Sequence, residues 1–167
     1  SPTSGAQKMG DHYLWTLFDS QATVWANDPM NPEVAAEVAK MDVDREVRMW
    51  DNWRIVHTAE VSEKGYYYNI YVQTDNPAGY MAALDNVYAE MKERGHNVSM
   101  QVFMGDTGET AGLLMVSLGS PDRAVMGRMM DARTEGWFQK AVADLDGKRE
   151  IVHGFSLVCE TYAVADM

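Results

Sequence analysis

With a single cysteine, Cys159, in 167 residues, the chain can form no internal disulfide and holds no cysteine cluster for a structural zinc or iron-sulfur centre. Positive charge is also scarce. Lys and Arg total 14 against 25 Asp and Glu, a net charge of -11 that repels phosphate backbones, so we expect no nucleic-acid partner. No run reaches the roughly 18 to 20 apolar residues a membrane-spanning helix needs. The first residues, Ser1 to Lys8, lack the basic start and apolar middle of a signal peptide. We therefore expect a soluble, cytoplasmic chain without membrane contact, its residues 1–12 forming a polar tail. Histidine spacing is uninformative too: no HxH or HxxxH pair suggests a metal site, and we expect no metal or cofactor.

What is present is a globular composition, 46% hydrophobic and 23% charged, enough for one domain or two small ones sharing a core. Tyr66 to Thr74 alternates Tyr68, Ile70 and Val72 with Tyr67, Asn69, Tyr71 and Gln73, the two-residue period of a strand with one oily and one polar-aromatic face. Asn76-Pro77 is a capped helix start; Met81, Leu84, Val87, Tyr88 and Met91 form its stripe, and Gly95 ends it. A second strand follows over Val98 to Met104, then a turn at Gly105-Asp106-Thr107-Gly108, then an apolar strand over Leu113 to Leu118. Ser120-Pro121 predicts another helix start. Its helix buries Val125, Met126, Met129 and Met130, breaks near Thr134-Glu135-Gly136, resumes at Trp137-Phe138 and ends at Gly147. Ile151 to Ala163 reads as the last strand.

Residues 66–167 thus read as a complete β-α-β-β-α-β unit of ferredoxin-like type, an α+β fold with helices on one side of an antiparallel sheet. Upstream, 13–65 reads as a partial β-α-β half-repeat. It has a strand at Tyr13 to Phe18, which Thr23-Val24-Trp25 could extend, and a helix starting at Asn31-Pro32 with Val34, Val38 and Met41 on one face. Asp42-Val43-Asp44 interrupts that helix, a strand covers 54–62, and a turn lies at Glu63-Lys64-Gly65. Ile55-Val56-His57 and Ile151-Val152-His153 repeat one tripeptide about one unit apart. The repeat would place His57 and His153 at equivalent strand positions.

This order, with its broken second helix, resembles the dimeric α+β barrel superfamily, in which two ferredoxin-like sheets enclose a cavity. The resemblance spans 66–162 and part of 13–62, whose first strand, helix and second strand are missing. It implies a dimeric or pseudo-dimeric barrel, a homo-oligomer, and a small apolar or aromatic ligand. Members include cofactor-free monooxygenases of the antibiotic-biosynthesis type, haem-degrading enzymes, muconolactone isomerase-like proteins and stress-response barrels. A cofactor-free oxygenase or an isomerase is accordingly one expectation; a non-catalytic assembly module, with the polar-aromatic sheet face as interface, is the other.

Within this frame the candidate catalytic residues are His153, Tyr71 and Asn69: an imidazole for proton transfer, and a phenol and an amide to polarise a carbonyl. Tyr67, Gln73, Gln101, Phe155 and His57 are candidate binding residues. Simpler readings compete. Both histidines could be hydrogen-bonded strand residues, and the tyrosines suit an interface as well as a pocket. Asp106-Thr107-Gly108 matches the aspartic-protease triplet but reads as a turn. The methionines read as core filler, and Arg123, Arg128 and Arg133 as a solvated face. Asn97-Val98-Ser99 is a glycosylation sequon in form only.

Overall fold

Alternation along one central strand organises the molecule. β3 (Lys64–Gln73) is flanked by β6 (Glu150–Glu160) and β5 (Leu114–Ser120), and β5 pairs in turn with β4 (Ser99–Gly105). Two short edge strands, β1 (Pro2–Ser4) and β2 (Trp53–His57), complete a six-stranded antiparallel sheet of order β1-β6-β3-β5-β4-β2. The computed structural model describes residues 1–27, 32–40, 44, 46–59 and 64–161, without the side chains of Val34 and Val38. The expected cap at Asn31, the face made by Val34, Val38 and Met41, the break at Asp42-Val43, the turn at Glu63 and the strand ends at Val61 and Ala163 all lie outside the described residues and side chains.

Two compact units divide the chain: Ser1–His12 together with Asp51–Met167, and Tyr13–Trp50. In the first unit, Ile70 and Val72 of β3, Val102 of β4 and Leu114 and Val116 of β5 pack against helices on one sheet face. α3 (Pro77–Glu93) supplies Tyr80, Leu84, Val87 and Met91; α4 (Arg123–Ala132) supplies Met126 and Met129. α5 (Gly136–Ala143) adds Trp137 and Phe138 at the margin. The even-numbered residues of β3 therefore face the helices, and methionine fills the core as its flexible side chain suits.

Local chemistry explains the helix boundaries. Asn76 caps α3 by accepting a bond from the Gly79 amide, with Pro77 at the first position. The start of α4 differs from expectation. Ser120 is the last residue of β5, and Asp122 is the cap, its carboxylate accepting from the Ala124 and Val125 amides. A carboxylate at a helix start also meets the positive end of the dipole, which Ser120 could not exploit from two residues upstream. Arg123 and Arg133 are not merely solvated; their guanidinium groups lie over the rings of Tyr66 and Tyr68 at 5.0 and 4.9 Å.

The region 13–26 departs from the expected strand. Tyr13 to Phe18 has no regular secondary structure, and Thr23-Val24-Trp25 lies inside α1 (Gln21–Ala26), which Ser20 caps. β-Propensity describes fit to a pleated, half-buried surface, and a run apolar at Leu14, Trp15, Leu17 and Phe18 alike shows no alternation. α2 (Pro32–Ala39) follows. At the other end of expectation, the polar tail contains β1, paired to β6 through Pro2 and Ser4.

Both Ile-Val-His tripeptides contain a β-bulge. In β2, Ile55 pairs with Phe103 but His57 pairs with Val102; in β6, Ile151 pairs with Val72 and His153 with Tyr71. The valine is the extra residue each time. The two histidines are nevertheless not equivalent, because His57 shares the face of Val102, toward the helices, and His153 shares the face of Tyr71, away from them.

Leu114 is 1% exposed, and Leu114→Ala is expected to cost about 2–5 kcal/mol in urea unfolding. Gly105→Ala should cost about 1–3 kcal/mol, because an added Cβ would lie 2.1 Å from the Thr110 carbonyl oxygen. A Gly105→Ala midpoint equal to wild type would contradict this packing.

Candidate functional site

The sheet face away from the helices carries the odd-numbered residues of β3. Register places three rows across it. Tyr67 lies between Leu157 and Gly119; Asn69 lies between Phe155 and Ser117, with Gln101 beyond; Tyr71 lies between His153 and Met115, with Phe103 beyond. The middle row is a strip of amide, hydroxyl and amide on three adjacent strands.

That strip is deeply enclosed. Asn69, Ser117 and Gln101 are only 4%, 6% and 9% exposed. The Gln101 Nε2 donates to the Ala59 carbonyl at 3.4 Å, whereas the side chains of Asn69 and Ser117 have no hydrogen-bond partner among the described residues. Their polar atoms are not sealed, since the one sealed orphan among the described residues is Thr110 Oγ1. An enclosed amide without a partner costs roughly 1–3 kcal/mol, so groups like these ordinarily bind water or a ligand.

An aromatic cluster borders the strip. Tyr71 stacks with Trp53 at 5.6 Å between centroids and meets Phe155 edge-on at 5.4 Å. His153 stacks with Phe155 at 5.7 Å and lies 6.0 Å from Tyr71, and its Nε2 is 2.8 Å from the Gly5 carbonyl oxygen. On the opposite side of the strip the Tyr67 ring covers Gly119 and Gly65 so closely that a Cβ at either would lie 2.5 Å from it. Glycine there lets the ring lie flat on the sheet.

Of the candidate residues, the fold brings together His153, Tyr71, Asn69, Gln101 and Phe155, with Tyr67 in the next row. Two stand apart. Gln73 pairs with Glu150 at the exposed end of β3. His57, turned by the bulge at Val56, places Nδ1 3.9 Å from the Asp85 carboxylate of α3. Trp53 and Ser117 were not among the sequence candidates. Trp53 shares the face of Ile55, a signal that alternation within β2 carries; Ser117 sits in an otherwise apolar run and acquires meaning only from its pairing with Asn69 and Gln101.

The strip has no charged side chain. Arg54, the cation nearest this end in β2, pairs with Met104 on the helix side and bonds the Asp106 carboxylate at 3.2 Å. Asp106 is thus an ion-pair partner at the hairpin turn, followed by a short 3-10 segment, Gly108–Thr110. Among the described residues no group of three or more His, Cys, Asp or Glu could hold a metal ion, and no helix is long and apolar enough to cross a membrane. No protein-family model and no curated protein matches the chain.

Cys159, half-buried on β6, is not an activated nucleophile: burial pushes its thiol above the ordinary range. Its reaction with a disulfide reagent such as DTNB at pH 8 is expected to be slower in the folded protein than in urea. Equal rates would show the thiol to be open.

Proposed function

We propose that this sheet face binds a small, uncharged, planar organic molecule, and that the enclosed amide of Asn69, without a hydrogen-bond partner among the described residues, is the group that recognises it. Asn69 and Gln101 each present an amide donor and a carbonyl acceptor, Ser117 adds a hydroxyl, and Tyr71, Phe155 and Trp53 supply rings against which a flat molecule stacks. Among the described residues no cation stands on the strip to compensate an anion, which favours a neutral ligand. Cofactor-free oxygenase or isomerase chemistry is the catalytic extension of this reading. There His153 would take the proton while Asn69 and Tyr71 polarise a carbonyl.

The ferredoxin-like interpretation of residues 64–160 is supported by the order of its four strands. Fourth, first, third and second lie side by side, as β6-β3-β5-β4, with α3 and α4-α5 as crossovers. Barrel formation with a second sheet, and a cytoplasmic setting, belong to the same proposal.

One observation favours an assembly role beside or instead of binding. Ile55 and Val56 on the edge strand β2 are 42% and 41% exposed, and an exposed apolar edge invites strand pairing. In the other unit, Trp25 and Trp50 are 69% and 59% exposed. Native mass spectrometry decides between a homo-oligomer and a monomer, and a monomer at micromolar concentration would remove the assembly reading.

Binding is tested with 2-hydroxybenzamide, a flat neutral probe with both donor and acceptor. Titration into labelled protein should move the side-chain amide resonances of Asn69 and Gln101, and Asn69→Leu should weaken binding about tenfold. Unmoved resonances at millimolar probe, together with an Asn69→Leu protein more stable than wild type, would mark the strip as structural and defeat the binding proposal.

A further inference from the structure

We propose that the segment through Gly5 is a positioning element for His153: its carbonyl holds the neutral imidazole in the Nε2–H tautomer and leaves Nδ1 as the one acceptor nitrogen beside the aromatic cluster. A carbonyl oxygen only accepts, so the nitrogen 2.8 Å from Gly5 O must carry the hydrogen. In a neutral ring the other nitrogen is then the lone-pair acceptor. Among the described residues Nδ1 has no hydrogen-bond partner. Stacking on Phe155, with the Tyr71 ring 6.0 Å away, limits the orientations of the ring.

The carbonyl is itself held in place by several contacts. β1 pairs with β6 immediately before Gly5, and the hydroxyls of Thr3 and Ser4 bond the Ser156 hydroxyl at 2.7 and 2.6 Å. Gly5 has φ of +70°, and a Cβ there would lie 2.3 Å from the Gly154 carbonyl oxygen and 2.8 Å from Phe155 Cα. Glycine alone permits this approach and this backbone conformation together. The bulge at Val152 supplies the other half of the geometry by turning His153 onto the face of Tyr71. Segment and bulge converge on one imidazole from opposite sides in sequence.

The consequence for ligand binding rests on the proposed function, but the tautomer can be read without any ligand. Long-range 1H–15N correlation of the His153 ring, recorded under conditions where the spectrum shows the neutral ring, should show the Nε2–H form in the wild type. Gly5→Val should convert it to a mixture of tautomers while the amide spectrum of the sheet stays native, and should weaken 2-hydroxybenzamide about threefold to tenfold. Ser4→Ala, which removes one tether and leaves the carbonyl, should keep the wild-type tautomer. A wild-type Nδ1–H form overturns the proposal without recourse to any variant. So does an Nε2–H form that survives Gly5→Val in a folded protein. If the tautomer behaves as stated and the probe never binds, the positioning stands and the binding proposal falls.

Discussion

Strict alternation along β3, with α3 and α4 packed on one face, is the constraint from which the rest of this unit follows. Once Ile70 and Val72 are committed to the core with Val102, Leu114 and Val116, Asn69 and Tyr71 have no choice but the opposite face. Antiparallel register then propagates the decision to β6, β5 and β4, so that residues far apart in sequence meet in rows. The strip of Asn69, Ser117 and Gln101 exists because three strands, each obeying the same period, are aligned to within one residue.

Where the alternation is interrupted, side chains change sides. The bulged valines Val56 and Val152 occupy the same place in identical tripeptides, yet the flanking pairs differ in parity. One bulge turns its histidine toward the Asp85 carboxylate and the other toward Tyr71 and Phe155. A bulge costs one ladder position and returns a re-aimed side chain. In β6 that exchange places an imidazole beside the amide strip; in β2 it removes one from it.

Polar groups in this unit differ in how they are satisfied. At the helix starts, the exposed caps Asn76 and Asp122 satisfy backbone amides. On the sheet face away from the helices, Asn69 and Ser117 are enclosed with no described partner. Enclosure without satisfaction is a local inconsistency in a chain otherwise consistent across levels, and such inconsistencies concentrate where a protein meets something else.

Short-range chemistry was readable directly from the residues. The strand around Ile70, the helix capped by Asn76 and the hairpin near Asp106 follow from period, capping and turn preferences, which depend on neighbours within a few positions. The polar-aromatic face containing Asn69 and Tyr71 was legible for the same reason. Three things were not. Tyr13 to Phe18 had strand composition without a paired surface to realise it. The bulges are invisible in Ile-Val-His, because an extra residue is defined only against a partner strand, and so the equivalence expected of His57 and His153 dissolved. Last, Gly5 looks like any glycine in a polar tail; its role beside His153 arises from β1 lying along β6, a pairing across almost the whole chain. Sequence by itself determined which residues share a face of each regular strand, since that depends on local geometry. Tertiary structure decided which faces meet, because register and long-range pairing are properties of two segments and are encoded in neither alone.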